Sequence, residues 1–283
     1  MTIFAQLSAD VIYFPLTRYH SGFMKYLFVI LFAGLMFCQP IIAIAQNGSA
    51  PTDTIKVVKQ PRPLRIYNSP RTYILPSAMI LYGALSLKNE PFKKWNESIR
   101  NTVGAGDGRQ HTNVDDYLEF TNAIASHVIS LVGVKPRHKL FDRLMIDGMT
   151  AALSTSVVMI IKNNSHEIRP DGSDDYSFPS NHVATAFASA ELLRQEYGDI
   201  SPWYGIAGYA VAAATGYLRM YNNKHWFGDV MAGAGIGIVS AKIATQLFPI
   251  AKKILFNNKT PFAAVFPTYQ NGSIGVHIFK TLP

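Results

Sequence analysis

This sequence is short of cysteine, of acidic side chains and of charge in general. A single cysteine, Cys38, stands among 283 residues, which excludes an intrachain disulfide and a metal centre built on thiolates. Charged residues make up only 16% of the chain against 48% hydrophobic ones, where soluble domains average about 25% charged. Acids are the scarcer sign, 18 against 26 Lys and Arg, leaving a formal net charge of +8. That balance suits a chain facing anionic lipid, phosphate or nucleic acid, and charge alone does not choose among them. Internal repeats and low-complexity blocks are absent, and the length allows one large domain or two small ones.

What is present begins with a targeting signal. From Met24, MKYLFVILFAGLMFCQPIIAIAQ has a short basic start, an apolar stretch and Ala43-Ile44-Ala45 before Gln46. This is the pattern of a secretory signal peptide with its small-residue cleavage site. Residues 1–23 hold no comparable run, so Met24 is the expected start and residues 1–45 an N-terminal extension and signal, expected to be removed. The uncharged stretch is also long enough to span a bilayer, which makes a retained anchor the competing outcome. Phe37 before Cys38 is too large for a lipoprotein processing site.

Residues 46–71 carry Pro51, Pro61, Pro63 and Pro70 and read as an extended linker. From there to residue 250 the chain is a succession of helical runs: Thr72–Leu87, a run to Val134 capped by Asp115 or Asp116, Leu140–Ile161, Val183–Tyr197, Pro202–Leu218 and Val230–Phe248. The expected fold is therefore all-α, a six-helix bundle. Between the first two runs the chain is polar, with a short helix near Trp95 and a flexible GAGDGR loop. Gly233 and Gly237 in the last run allow a close helix contact. The tail, 251–283, turns β-like on both sides of Asn271-Gly272, a hairpin signal. Most of the runs fall short of the ~20 residues of a membrane span, and a soluble or a bilayer-seated bundle both fit.

Three polar islands carry the chemistry. Lys162 and Arg169 follow an apolar run, and Pro170 stops further helix; an ammonium and a guanidinium are suited to hold an oxyanion. Ser180, Asn181 and His182 open the next run, and a helix N-terminus attracts anions. His225 and Asp229 stand four apart at the start of the last run, with Arg219 ending the one before. A carboxylate behind an imidazole fixes its tautomer. A His-x-x-x-Asp pair can also be a zinc fragment, but no cluster of His or Cys completes a set, so no metal is expected.

Each island alone fits a helix cap or a basic helix end. In series, K-x6-R-P, P-S-x-H and R-x5-H-x3-D resemble the type 2 phosphatidic acid phosphatase (PAP2) superfamily, which shares its core with bacterial non-specific acid phosphatases and vanadium haloperoxidases. The resemblance runs from about Thr72 to Phe248. It implies a cofactor-free, metal-independent phosphoryl-transfer site. His225 would attack phosphorus and form a phosphohistidine, Asp229 would orient it, and His182 would protonate the leaving oxygen and then activate water. Lys162, Arg169 and Arg219, with Ser180 and the Asn181 backbone N–H, would hold the equatorial oxygens. The family usually has glycine where this chain has Asn181 and serine where it has Leu218. With the signal, the resemblance implies an envelope phosphatase, its site on the periplasmic side, acting on a phosphorylated lipid of the lipid A, undecaprenyl diphosphate or phosphatidic acid type. The membrane is the implied partner and nucleic acid is not. A periplasmic acid phosphatase and a non-catalytic lipid-phosphate-binding membrane protein are the alternatives.

Overall fold

The computed structural model describes residues 9–13, 69–103, 111–256, 263–270 and 273–280. The expected signal segment, the Pro-rich linker up to residue 68 and the GAGDGR loop lie outside the described residues. Two units divide the chain, Lys59–Ala251 and Met1–Val58 with Lys252–Pro283.

In the first unit a 3-10 turn, Pro70–Tyr73, leads into helix α1 (Ile74–Ser86), followed by α2 (Glu90–Val103), α3 (Val114–Leu131), α4 (Leu140–Ser165), α5 (Asn181–Tyr197), α6 (Pro202–Tyr221) and most of α7 (Phe227–Phe256), whose last five residues fall in the other unit. The described residues thus hold seven helices where six were expected. The addition is α2, a full fourteen-residue helix in place of a short one near Trp95. Its mean hydropathy is low, yet Phe92, Trp95, Ile99 and Val103 recur at the helical interval of three and four. Two further boundaries move. Helix α4 continues to Ser165, so Lys162 occupies its last turn rather than the loop beyond it. Helix α7 passes Pro249, which removes one backbone donor without ending it, and reaches Phe256.

The polarity of the outer helices is inverted relative to helices that pack in water. In α3 the buried residues are Asp115, Glu119, Asn122 and Ser126, while Tyr117, Phe120, Ile124, Val128 and Leu131 are exposed. Helix α4 buries Asp142, Ile146, Thr150, Ser154, Val158 and Lys162 at intervals of four and exposes Leu140, Leu144, Val157, Met159 and Ile160. A helix in water turns its apolar stripe inward; these two turn theirs outward. Among the described residues α4 and α7 are long and apolar enough to cross a membrane.

Helix α5 is the centre, packed by α3, α4 and α6. It meets α4 and α7 in two apolar clusters, one of Ile146, Leu192, Ala241 and Phe248 and one of Val158, Ala184 and Ile236. Helix α7 approaches α5 through Gly233 and Gly237: a Cβ at Gly233 would sit 2.5 Å from the Ser180 carbonyl oxygen, and one at Gly237 would strike that of Ala184. Only glycine lets the backbones come so close. The contact sets the N-terminus of α5 beside that of α7, where two of the three polar islands lie.

In the second unit the backbone forms a three-stranded antiparallel sheet in the order β1 (Ala9–Tyr13), β3 (Ser273–Lys280), β2 (Ala263–Gln270). Strands β2 and β3 are in register from Ala263 opposite Lys280 to Gln270 opposite Ser273.

Candidate active site

The three islands converge at one end of the helical unit. Lys162, in the last turn of α4, is 9% exposed and donates to the Tyr176 carbonyl at 2.5 Å. Arg169 reaches the same carbonyl, and its Nε donates to Asp174 Oδ1 at 2.7 Å while its Nη1 donates to the Lys224 carbonyl. His166, at φ 48°, ends α4 and starts the loop that carries Arg169. Ser180 occupies the N-cap of α5 without making a side-chain cap bond, and its backbone N–H donates to the Asp229 carbonyl at 3.2 Å. Asn181 and His182 form the first turn of α5.

His225 sits in the turn before α7 and is 3% exposed, with Asp229 beneath it at 1%. The His225 Nδ1 to Asp229 Oδ2 distance is 3.4 Å. That carboxylate is fixed from two other sides: Ser177 Oγ donates to Oδ2 at 2.5 Å and the Trp226 N–H at 2.8 Å. Helix α2 braces the same turn, since Arg100 Nε donates to Asn223 Oδ1 at 2.8 Å and its guanidinium lies over the Trp226 ring. Asn223 holds a left-handed φ of 58° there, a conformation asparagine adopts more readily than most residues.

The first turn of α3 closes the remaining side. Asn113 is the N-cap, so Asp115 and Asp116 are not caps as expected but first-turn residues. Both are occupied with the site: Arg219 Nη1 donates to Asp115 Oδ2 at 2.7 Å, and His182 Nε2 lies 3.0 Å from Asp116 Oδ1. Glu119, one turn further, comes within 3.7 Å of the same His182 nitrogen. Sequence reasoning missed these carboxylates and Ser177. A signal existed in α3, since Asp115, Glu119, Asn122 and Ser126 form a polar stripe at helical spacing in an otherwise apolar run.

Few buried side-chain atoms among the described residues lack a hydrogen-bond partner, and Ser180 Oγ, Arg219 Nε and His225 Nδ1 are three of them. A buried, unpaired polar atom costs about 1–3 kcal/mol. Two of these three, Ser180 Oγ and Arg219 Nε, are donors, which an oxyanion would satisfy. Burial, and then the charges of Arg219, Arg169, Lys162 and His182, hold the His225 imidazole well below its ordinary value, so it is neutral near pH 7 and its nitrogen lone pair is free. Among the described residues no group of three or more His, Cys, Asp or Glu is placed to hold a metal ion.

The remaining histidines stand apart from this cluster. His166 is 63% exposed against Asp175, His127 pairs with Asp147 at 2.9 Å, and His138 pairs with Glu196.

A cavity of about 400 Å³ leads away from the cluster between α3, α4 and α5. It starts at Asn181 and Glu119, passes Ala151, Thr185 and Ala188, and ends near Leu192. Eleven residues of α5 separate its ends, a length of roughly 16 Å at helical rise.

Comparison with known proteins bears on this arrangement. Residues 143–253, which include all eight expected site residues, match the family model described as the PAP2 superfamily. A curated relative, "Lipid A 1-phosphatase" of Porphyromonas gingivalis, is 34% identical over 180 residues, covering 63% of this chain. The chain spans 40% of that relative's length. Two crystal structures are also similar. One is Aquifex aeolicus LpxE, with 20% identity, 54% of this chain and 95% of that one covered, and a TM-score of 0.39. The other is a transmembrane PAP2-type phosphatidylglycerolphosphate phosphatase from Bacillus subtilis, with 16% identity, 63% and 98% covered, and a TM-score of 0.43. At such TM-scores neither structure bears on the geometry of the site. Segment 143–253 is thus similar to the PAP2 superfamily, and the curated relative is similar to the chain over 180 residues.

Proposed function

We propose that the protein is a metal-independent phosphatase of a membrane lipid, cleaving its phosphate through a histidine intermediate. The observation that carries this reading is the convergence of Lys162, Arg169 and Arg219 with two unpaired buried donors around a neutral imidazole. The transferred phosphoryl group spreads its charge over three equatorial oxygens. Three fixed cations, Ser180 Oγ and the Asn181 N–H would receive that charge without reorganising. The His225 lone pair attacks phosphorus as the P–O bond to the lipid breaks, and His182 gives the departing oxygen its proton. Water then attacks the phosphohistidine, returning a proton to His182 and releasing inorganic phosphate. Asp229, held by Ser177 and the Trp226 N–H, orients His225 and balances the charge that it gains.

The substrate is a lipid because the apolar faces of α3 and α4 point outward, which suits a bilayer. Helices α4 and α7 then cross it. The cavity along α5 offers an acyl chain a place continuous with the phosphate site. A lipid A-type phosphate is the first candidate, on the name of the curated relative, before undecaprenyl diphosphate or phosphatidic acid. The site faces the periplasm, in keeping with the secretory signal read from residues 24–46.

The test is phosphate release by purified, detergent-solubilised protein from lipid phosphates of graded chain length and from p-nitrophenyl phosphate, with and without Ala151→Trp. Ala151 is an exposed residue at the lip of the cavity, so its replacement leaves the bundle intact. Wild type should cleave both substrate types, persist in chelator and be inhibited by vanadate. The variant should lose about tenfold in kcat/KM, or ~1.4 kcal/mol, for long chains and nothing for p-nitrophenyl phosphate. Release from the small ester alone would point to a soluble acid phosphatase. Binding of lipid phosphates without release would point to a binding protein.

A further inference from the structure

We propose that Asp116 and Glu119, in the first turns of α3, are positioning residues that keep the His182 imidazole protonated and aimed for its proton transfer to the leaving oxygen. The inference rests on the function proposed above and adds to it a pair of residues outside the three islands.

The geometry is specific. Both carboxylates address one ring atom: His182 Nε2 lies 3.0 Å from Asp116 Oδ1 and 3.7 Å from Glu119 Oε1. A carboxylate there keeps a proton on Nε2. A second proton, on Nδ1, is then the one available for transfer, and it makes the ring a cation. Two influences oppose that cation. Burial and the Arg219 charge pull the imidazole below its ordinary value, and the hydrogen bond and charge of Asp116, followed by Asp115, pull it only part of the way back. His225 is a further neighbour, facing His182 from the turn before α7. The charged and titratable groups around the ring are therefore Asp115, Asp116 and Glu119 on α3, Arg219 on α6 and His225. Asp115 is committed to Arg219 at 2.7 Å, which leaves Asp116 and Glu119 to serve His182.

The two are not equivalent. The Asp116 side chain is half exposed and Glu119 is nearly buried, at 10%. Burial, with the neighbouring Asp116 charge, pushes the Glu119 carboxyl up to about 7. Asp116 is the one that bonds the ring nitrogen directly, at 3.0 Å. Glu119, 3.7 Å from the same nitrogen, adds its charge as the pH rises through neutrality.

The experiment is the pH profile of kcat/KM on two substrates, a lipid phosphate with an alkoxide leaving group and p-nitrophenyl phosphate, whose phenolate departs without a proton. Asp116→Asn should move the alkaline limb for the lipid phosphate down by about one pH unit, a tenfold loss above neutrality. It should leave kcat/KM for p-nitrophenyl phosphate within about twofold, because that ratio reports steps only through departure of the leaving group, and a phenolate leaves without general acid help. Glu119→Gln should match wild type near pH 5.5 and fall about threefold behind above pH 8. Asp116→Glu should restore most of the loss. Equal losses on both substrates at every pH would mean a structural role and overturn the proposal, as would an unmoved alkaline limb. If Glu119→Gln does not yield folded protein, Asp116→Asn on its half-exposed side chain decides the question alone. Wild-type protein that releases no phosphate from either substrate defeats the parent reading and this one together. Release with no substrate-dependent shift defeats this one only.

Discussion

Replacing His225 by alanine lowers phosphate release by at least about a thousandfold, the scale on which loss of an activated nucleophile is felt, while the protein still folds and still binds lipid phosphate. The imidazole is buried, and its Nδ1 makes no hydrogen bond that alanine would orphan. Asp229 keeps its bonds from Ser177 and the Trp226 N–H. Lys162, Arg169 and Arg219 are untouched, so equilibrium binding to vesicles containing lipid phosphate changes by less than about tenfold. Turnover and vesicle binding measured on the same preparations check both halves. Equal, slow release by wild type and variant would leave a phosphate-binding protein in place of an enzyme.

Arg219→Lys is the second large effect, a fall in kcat/KM of about 10²–10³-fold with little change in thermal unfolding midpoint. Arg219 does two things at once. Its Nη1 bonds the buried Asp115 carboxylate at 2.7 Å, while its buried Nε remains without a partner. A guanidinium can serve two directions because its donors fan out in a plane; an ammonium is a point charge. Lysine keeps Asp115 paired, so the bundle survives. Alanine would instead strand a buried carboxylate, at a cost of about 3–5 kcal/mol, and would mix folding with chemistry. Paired measurements of kcat/KM and unfolding midpoint on the lysine variant separate them.

The sequence disclosed the candidate site from one side only. Lys162, Arg169, Ser180, His182, Arg219, His225 and Asp229 were legible because each stands at the end of an apolar run, where a polar residue is conspicuous. Gly233 and Gly237 were legible for a similar reason, since small residues four apart in an apolar helix have a packing use, and they do seat α7 against α5. The carboxylates of α3 were obscured by position. An acid in the first turn of a helix has a sufficient local explanation in the helix dipole, and nothing in sequence spacing ties Asp115 to Arg219, 104 positions away. Helix α2 was underestimated because it is polar, although its few apolar residues keep helical intervals and its Arg100 braces the turn before His225. Which way the polar stripes of α3 and α4 point was not legible in the sequence, because a polar stripe inside a bundle and one facing water have the same periodicity. Burial decides between them: in α3 and α4 the polar stripe is inside.

The most direct test of the account is to quench wild-type protein during turnover of a ³²P-labelled lipid phosphate and locate the label by peptide mapping under alkaline conditions. An acid-labile, base-stable phosphate on His225 is the predicted result. Steady release of inorganic phosphate with no labelled protein at any quench time, or a label on another residue, would contradict it.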